Sequence, residues 1–253
     1  MKEFEGKRVL ITAGAAGIGL HLVQRFLAEG ARLAVADVAE ADLAALPEAV
    51  LGYRCDVSNE SEVDVLFDGV ARDLGGLDIL INGAGIAGQT ASIEESDPAR
   101  WRHCIEINLT GSYLCLRRAL PLLRASGGGA VVNFSSTAGL FGYPYRSPYC
   151  AAKWAVIGLT KTAAQEAGPD GVRVNAICPG AVEGERMDRV VAAEAAEKGV
   201  REAEIRAAYT AGSSLKRWVS ADDVADSVLF LCSDRAKLIS GQAISVDGNT
   251  ETF

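Results

Sequence analysis

Residues 8–29 read RVLITAGAAGIGLHLVQRFLAE, and the order of parts in that stretch decides the fold. Arg8–Ala13 is an apolar run of strand length, Thr12–Gly19 (TAGAAGIG) is a glycine-rich turn, and Ile18–Glu29 repeats its apolar residues at helical spacing. A strand that passes through glycines straight into a helix presents the unpaired first amides of that helix at the positive end of its dipole. Gly14, Gly17 and Gly19, with Ile18 among them, let the backbone approach an anion such as a pyrophosphate. A tight turn without a ligand would use the same glycines, so this stretch alone leaves both readings open.

The pattern repeats to the end of the chain. Strands are expected at Arg32–Val38, Leu51–Val57, Leu77–Asn82, Ala130–Ser135, Val172–Ile177 and Ala243–Val246. Helices are expected at Glu60–Leu74, Pro98–Arg124, Pro148–Ala167 and Asp222–Cys232. Strands this apolar suit a parallel sheet covered on both faces. The alternation therefore predicts an α/β chain, a doubly wound, Rossmann-like parallel sheet of about seven strands with helices on both sides. No Pro/Ser-rich linker or internal repeat divides the chain, so residues 1–253 read as one domain. Glu183–Ser220 is the irregular stretch, charged and alanine-rich, with two helical patterns.

Composition narrows the function. A net charge of -8 disfavours a broad basic surface for nucleic acid. No stretch approaches the roughly 20 apolar residues of a membrane span. Val9–Val23 imitates a signal core, but its glycines and the absence of a basic segment before it argue for strand-turn-helix, so a cytoplasmic location is expected. The six cysteines are scattered and read as reduced thiols. His21 and His103 have no nearby ligand partner, so no metal site is expected.

Asp37 ends the second strand eighteen residues after Gly19, where a carboxylate can accept hydrogen bonds from the ribose hydroxyls of an adenosine and repel a 2′-phosphate. With Val38 next and Ala15 and Ala16 in the turn, no cation in these segments offers to bind that phosphate, so NAD is expected over NADP. Asp56 reads either as an adenine contact or as a cap for the helix after Ser58.

Tyr149 and Lys153 stand four apart, which puts phenol and ammonium on one helical face, and Ser136 lies thirteen residues before the tyrosine just past a buried strand. A nearby cation favours the phenolate, and a fall in the tyrosine pKa from about 10 to about 7 represents roughly 4 kcal/mol. Such a phenol is a competent general acid or base near neutrality.

These motifs stand in a specific order: TAGAAGIG at Thr12–Gly19, NGAG at Asn82–Gly85, Asn108 in INLTG, Ser135–Ser136, YCAAK at Tyr149–Lys153, NAICPG at Asn175–Gly180 and SGQAISVDG at Ser240–Gly248. With them the chain resembles the short-chain dehydrogenase/reductase family over nearly its whole length. The resemblance implies an NAD-dependent oxidoreductase that moves a hydride between a secondary alcohol or ketone and the cofactor. Dihydrodiol or sugar oxidation is the alternative within the family, and a catalytically silent NAD-binding scaffold the alternative outside it. It also implies roles. Ser136, rather than its neighbour Ser135, would hydrogen-bond the substrate oxygen and Tyr149 would exchange its proton. Lys153 would hold the nicotinamide ribose and lower the tyrosine pKa, and Asn108 would steady a water. Asp56, Val57, Asn82, Ala84, Gly85, Pro179, Gly180 and Val182 would complete the cofactor contacts, with Tyr149 and Lys153. A homotetramer through the two long helices is implied as well.

Three positions depart from the family pattern: Ala13 replaces the first glycine of the turn, Gly83 the second asparagine, and Gly184 the threonine that often meets the nicotinamide carboxamide. Backbone groups of Val182 could cover the last loss. The substrate pocket is expected from the loop 137–148, with Phe141, Tyr143 and Arg146, and from 183–220, with Met187. That second segment could be a lid or a subunit contact. In some relatives a basic residue in the place of Arg146 meets an acid group on the substrate; an ordinary arginine paired with a loop acid or facing a subunit contact is the other reading.

Overall fold

The computed structural model describes residues 2–250. Seven strands form one parallel sheet in the order β3-β2-β1-β4-β5-β6-β7. They are β1 (Arg8–Thr12), β2 (Arg32–Asp37), β3 (Val50–Arg54), β4 (Ile79–Asn82), β5 (Gly129–Phe134), β6 (Val172–Pro179) and β7 (Ala243–Val246). Alternate residues of these strands feed two cores. Val9, Ile11, Val35, Ile81 and Val132 pack with α1 (Gly17–Ala28) and α9 (Ala221–Cys232) on one face. Leu10, Ala34, Leu80 and Val131 pack with α3 (Glu60–Leu74), α5 (Gly111–Ala125) and the C-terminal half of α6 (Ser147–Ala167) on the other. The doubly wound sheet expected from the sequence is the one observed. Among the described residues, no helix is long and apolar enough to cross a membrane.

The strand order reverses between β1 and β4, and a crevice opens beyond their carboxyl ends, where ligands of such sheets bind. Register lines up what faces it: Thr12 pairs with Ala36 and Asn82, and Asn82 pairs with Asn133. Short-range chemistry places the helix starts around it. Asn59 caps α3 by accepting from the amides of Ser61 and Glu62, and Asp97 caps α4 (Pro98–Ile105) by accepting from Arg100. Ser220 and Asp223 close a reciprocal capping box on α9.

Several expected boundaries change. The third strand stops at Arg54, so Cys55, Asp56 and Val57 lie in the turn beyond it. The single helix expected over Pro98–Arg124 is α4 and α5 joined by one π-helical turn, Glu106–Thr110. A short helix, α2 (Glu40–Ala44), follows β2 where none was expected. The irregular segment holds α7 (Glu185–Lys198) and α8 (Glu202–Ala211), which share a small core of Val191, Ala195 and Ile205.

Candidate active site

The glycine-rich turn has the shape its sequence suggests. Ala13, in place of the usual glycine, takes the left-handed conformation (φ 54°) while its amide bonds Ala36 O at 2.7 Å. An alanine held there costs on the order of 1–2 kcal/mol in backbone energy. A Cβ on Gly14 would press into Val35 at 2.9 Å, and one on Gly19 would collide with Ala13 O. Gly17 (φ 52°) has open space where a side chain would sit, and no side chain caps α1. The first amides of α1 are thus left for an anion.

Asp37 is tied to that turn: its Oδ2 accepts from the amide of Ala15 at 3.2 Å and its Oδ1 from Ala39 at 3.2 Å. Beside it in register stands Arg54, a cation that spacing along the chain does not reveal. Its guanidinium is engaged by Glu62 at 2.8 Å and Glu40 at 3.6 Å. The Asp56 carboxylate accepts from the amide and hydroxyl of Ser58, and this hydrogen bonding first of all holds its pKa below the usual carboxylate range. It shapes the turn, whereas the cap of α3 is Asn59, so the capping reading of Asp56 is corrected. Val57 is buried against Gly111, where a Cβ would meet it at 2.6 Å.

On the β4 side, Thr12 Oγ1 accepts from the amides of Gly83 (3.1 Å) and Ala84 (3.2 Å). A Cβ at position 83 would stand 2.7 Å from Thr12 O, which accounts for glycine in the place of asparagine. Asn82 donates to Asn133 Oδ1 at 2.9 Å. Pro179 ends β6, and a Cβ on Gly180 would lie 2.9 Å from Asp247. Val182 forms a parallel bridge with Val219, in which Val219 bonds Ala181 and Glu183. By β geometry the N–H and C=O of Val182 itself point to the opposite edge, free of that bridge.

The proton-handling residues converge beneath. Tyr149 and Lys153 lie in the first two turns of α6, with Nζ 5.6 Å from the phenol ring centroid. Lys153 is buried and donates to Phe134 O at 2.7 Å. Ser135 is buried and donates to Lys153 O at 2.8 Å, whereas Ser136 is half-buried and accepts from the Ala138 amide at 3.2 Å. Asn108 sits in the π-helical turn, donating to Cys104 O (2.8 Å) and Ile86 O (3.0 Å). Its Oδ1 is buried without a partner, an expensive omission that suits a ligand or water site. A Cβ on Gly85 would sit 2.5 Å from that oxygen and 3.4 Å from Lys153 Nζ, so only glycine keeps the space open.

Burial opposes ionisation of the Tyr149 phenol. Lys153, Arg186, a hydrogen bond with Ser136 and Arg146 together outweigh it, and the pKa lies below that of an ordinary tyrosine. Lys153 is likewise pulled below the usual lysine value, by burial first and Arg186 further, against the opposing pull of Tyr149. A phenol so biased, beside a hydroxyl and an ammonium, can exchange a proton with a small polar ligand.

The residues expected to line the substrate pocket divide. Arg146 is buried, packed 5.4 Å from the Tyr143 ring and 5.2 Å from the Tyr149 ring, and donates to Ala87 O at 3.0 Å. Its partner is thus a backbone carbonyl rather than a loop acid. Tyr143 reaches Glu194 at 3.3 Å, and Phe141 lies at an exposed edge. Met187 turns instead into the small core of α7 and α8, because the apolar face of α7 packs on α8. A cleft of about 340 Å³ opens between Gly85–Thr90 and α7, with Arg186, Arg189, Val190 and Ala193 on the helical wall. The sequence reading missed Arg186. Among the described residues, no group of three His, Cys, Asp or Glu is placed to hold a metal ion.

Comparison with known proteins gives one family match and three similar proteins. A family model described as Enoyl-(Acyl carrier protein) reductase matches residues 13–249. Cis-4-hydroxycyclohexanecarboxylate dehydrogenase of Sinomonas cyclohexanicum is 38% identical over 255 residues, 98% of each chain. 2-(S)-hydroxypropyl-CoM dehydrogenase 3 of Xanthobacter autotrophicus is 35% identical over 248 residues, 95% of this chain and 94% of that one. The crystal structure of an NAD+-bound xylitol dehydrogenase superposes with a TM-score of 0.95 at 28% identity, over 98% of this chain and 100% of that one.

Proposed function

The chain belongs to the short-chain dehydrogenase/reductase family, and on that premise we propose that Asn108, Ser136, Tyr149 and Lys153 carry the proton side of its reaction. It is an NAD-dependent oxidoreductase acting on CH–OH groups of small molecules. The observation that carries the residue assignment is the Tyr149 phenol, its pKa lowered beside Lys153 and Ser136.

The residues present fit the cofactor: uncapped amides at α1, Asp37 tied to the turn, and space at Gly85 opening on the orphaned Asn108 Oδ1. Gly14, Gly17, Ile18 and Gly19 would hold the pyrophosphate. Asp37 would take the adenosine ribose, and Asp56 and Val57 would border the adenine. Asn82, Ala84 and Gly85 would line the nicotinamide ribose with Tyr149 and Lys153. Pro179, Gly180 and the free backbone of Val182 would meet the carboxamide in place of the absent threonine. Bound NAD supplies the hydride acceptor or donor. In alcohol oxidation the Ser136 hydroxyl holds the substrate oxygen and Tyr149 takes its proton. Lys153 keeps the phenolate low in energy, and Asn108 Oδ1 anchors a water through which the proton leaves toward solvent. The bond of Ser135 to Lys153 O supports Ser136 over Ser135 in the serine role.

The pH profile follows from the direction of the tyrosine shift. Oxidation needs the phenolate, so kcat/KM rises with pH and levels off above a pKa lower than the about 10 of free tyrosine. Reduction needs the phenol, so kcat/KM falls through the same pKa. Profiles measured in both directions with a panel of secondary alcohols and their ketones test this. Two flat profiles would remove Tyr149 from the role.

Asp37→Ala should raise the NADP-to-NAD ratio of kcat/KM by roughly ten- to a hundredfold, the range of a lost charge-assisted hydrogen bond. The 2′-phosphate, no longer repelled by that carboxylate, would then meet the positive charge of Arg54 beside it. An unchanged ratio would place the ribose elsewhere.

The whole chain would act as one dehydrogenase domain, with 183–220 folded over the cleft as a lid. We infer a homotetramer working in the cytoplasm; the exposed aromatics Trp101, Tyr113 and Trp154 on α4, α5 and α6 support the assembly.

A further inference from the structure

Four observations meet at the cleft between Gly85–Thr90 and α7. First, Arg186 lines it, half a turn from the start of α7, and among the described residues the guanidinium has no hydrogen bond or ion pair. Its neighbour Arg189 has only an exposed pairing with Glu185 at 3.8 Å. Second, Arg186 is solvent-exposed at the cleft, and its charge still reaches Tyr149, Lys153 and Arg146. Third, Arg146 lies under the cleft wall. It is 3% exposed, bonded to the carbonyl of cleft residue Ala87, and its Nε is buried without a partner. Fourth, among the described residues the buried carboxylate nearby is already taken. Glu194 accepts from Lys198 at 2.5 Å and from the hydroxyls of Tyr209 (2.8 Å) and Tyr143 (3.3 Å).

Three cations thus surround a cleft in which, among the described residues, no free counter-charge stands, and its potential is positive. A ligand entering it strips water from Arg186. Stripping a guanidinium without giving it a partner is costly, so a neutral ligand binds there at a penalty. A carboxylate or sulfonate removes the penalty, because its oxygens match the fork of a guanidinium.

The geometry points to a substrate that is an acid-bearing secondary alcohol, its carboxylate or sulfonate held by Arg186 at the mouth of the cleft, with Arg146 adding positive potential from beneath. The position of the carbinol rests on the dehydrogenase reading above; the anion site itself does not. The pyrophosphate of the cofactor is the other anion available, but its turn, Ala13–Gly19, is on none of the cleft walls.

The test is titration of the full-length protein, saturated with NADH, with cyclohexanecarboxylate and with cyclohexanecarboxamide. These are two ligands of one shape that cannot react. The carboxylate should bind roughly ten- to a hundredfold more tightly, the range of a charge-assisted pair. Arg186→Gln should abolish that preference, Arg186→Lys should keep part of it, and neither should change the Kd for NADH. Equal binding of the two ligands by the native protein would overturn the proposal. So would an Arg186→Gln variant that loses NADH affinity but keeps the preference, since Arg186 would then serve the cofactor. Failure of the dehydrogenase reading shows elsewhere, as no NADH formed from any alcohol, and leaves the binding ratio intact.

Discussion

Tyr149→Phe should lower kcat for alcohol oxidation by a factor on the order of 10²–10⁴, the contribution of a positioned general acid or base. The ring stays, and with it the packing of Arg146 at 5.2 Å and Lys153 at 5.6 Å. The hydroxyl is the only atom removed, so the fold and the cofactor turn thirteen decades of sequence away in β1 and α1 are untouched. Affinity for NADH should change no more than a few-fold, and KM should move little beside kcat. Steady-state kinetics together with a nicotinamide fluorescence titration read both quantities. A variant that keeps native kcat would show that another group takes the proton.

Lys153→Met has the second largest effect and a different signature. Methionine keeps most of the buried volume of the stem, so packing in α6 is largely preserved. Phe134 O loses its donor, at a cost of about 1–3 kcal/mol if water cannot reach it. Removal of a buried charge offsets part of that. The chemistry suffers more. Burial of Tyr149 pushes its pKa up, and Lys153 is the leading group that holds it down, with Arg186, Ser136 and Arg146 behind. Without the ammonium the tyrosine pKa rises, and each step of one in pKa removes about nine-tenths of the phenolate at a fixed pH well below it. Oxidation at neutral pH should therefore fall on the order of 10²-fold or more, and the rising limb of the pH profile should move to higher pH. A loss of kcat with an unmoved profile would mean that Lys153 acts on the cofactor alone.

Much of this was legible because the controlling interactions are local. The turn Thr12–Gly19 declares its strand and helix within a few residues, and the spacing of Tyr149 and Lys153 fixes a shared helical face. What stayed hidden depends on register or on small backbone changes. Arg54 stands beside Asp37 only because β3 pairs with β2 in one register. Apolar periodicity over Pro98–Arg124 cannot reveal one π-helical turn, yet that turn is where Asn108 finds Cys104 O and Ile86 O. Asp56 reads as the end of a strand that stops two residues earlier, because apolar Cys55 and Val57 on either side of it carry the strand pattern past Arg54. On α7 the apolar Met187 was the natural candidate for a pocket, but neighbours on a helix point about 100° apart. The methionine faces the small core, and the charged Arg186 faces the cleft.

Lys153, Arg186, Ser136 and Arg146 make Tyr149 ionise more readily than an ordinary tyrosine. Ultraviolet titration of the tyrosinate band in the full-length protein tests this without any substrate. Two other tyrosines stand well clear: burial and the hydrogen bond to Asp73 push Tyr53 up to about 12, and burial raises Tyr209 as well. A tyrosinate step below the usual pKa of about 10 should appear in the native protein and vanish in Tyr149→Phe. Superposable titration curves for the native protein and the variant below that pH would contradict the assignment.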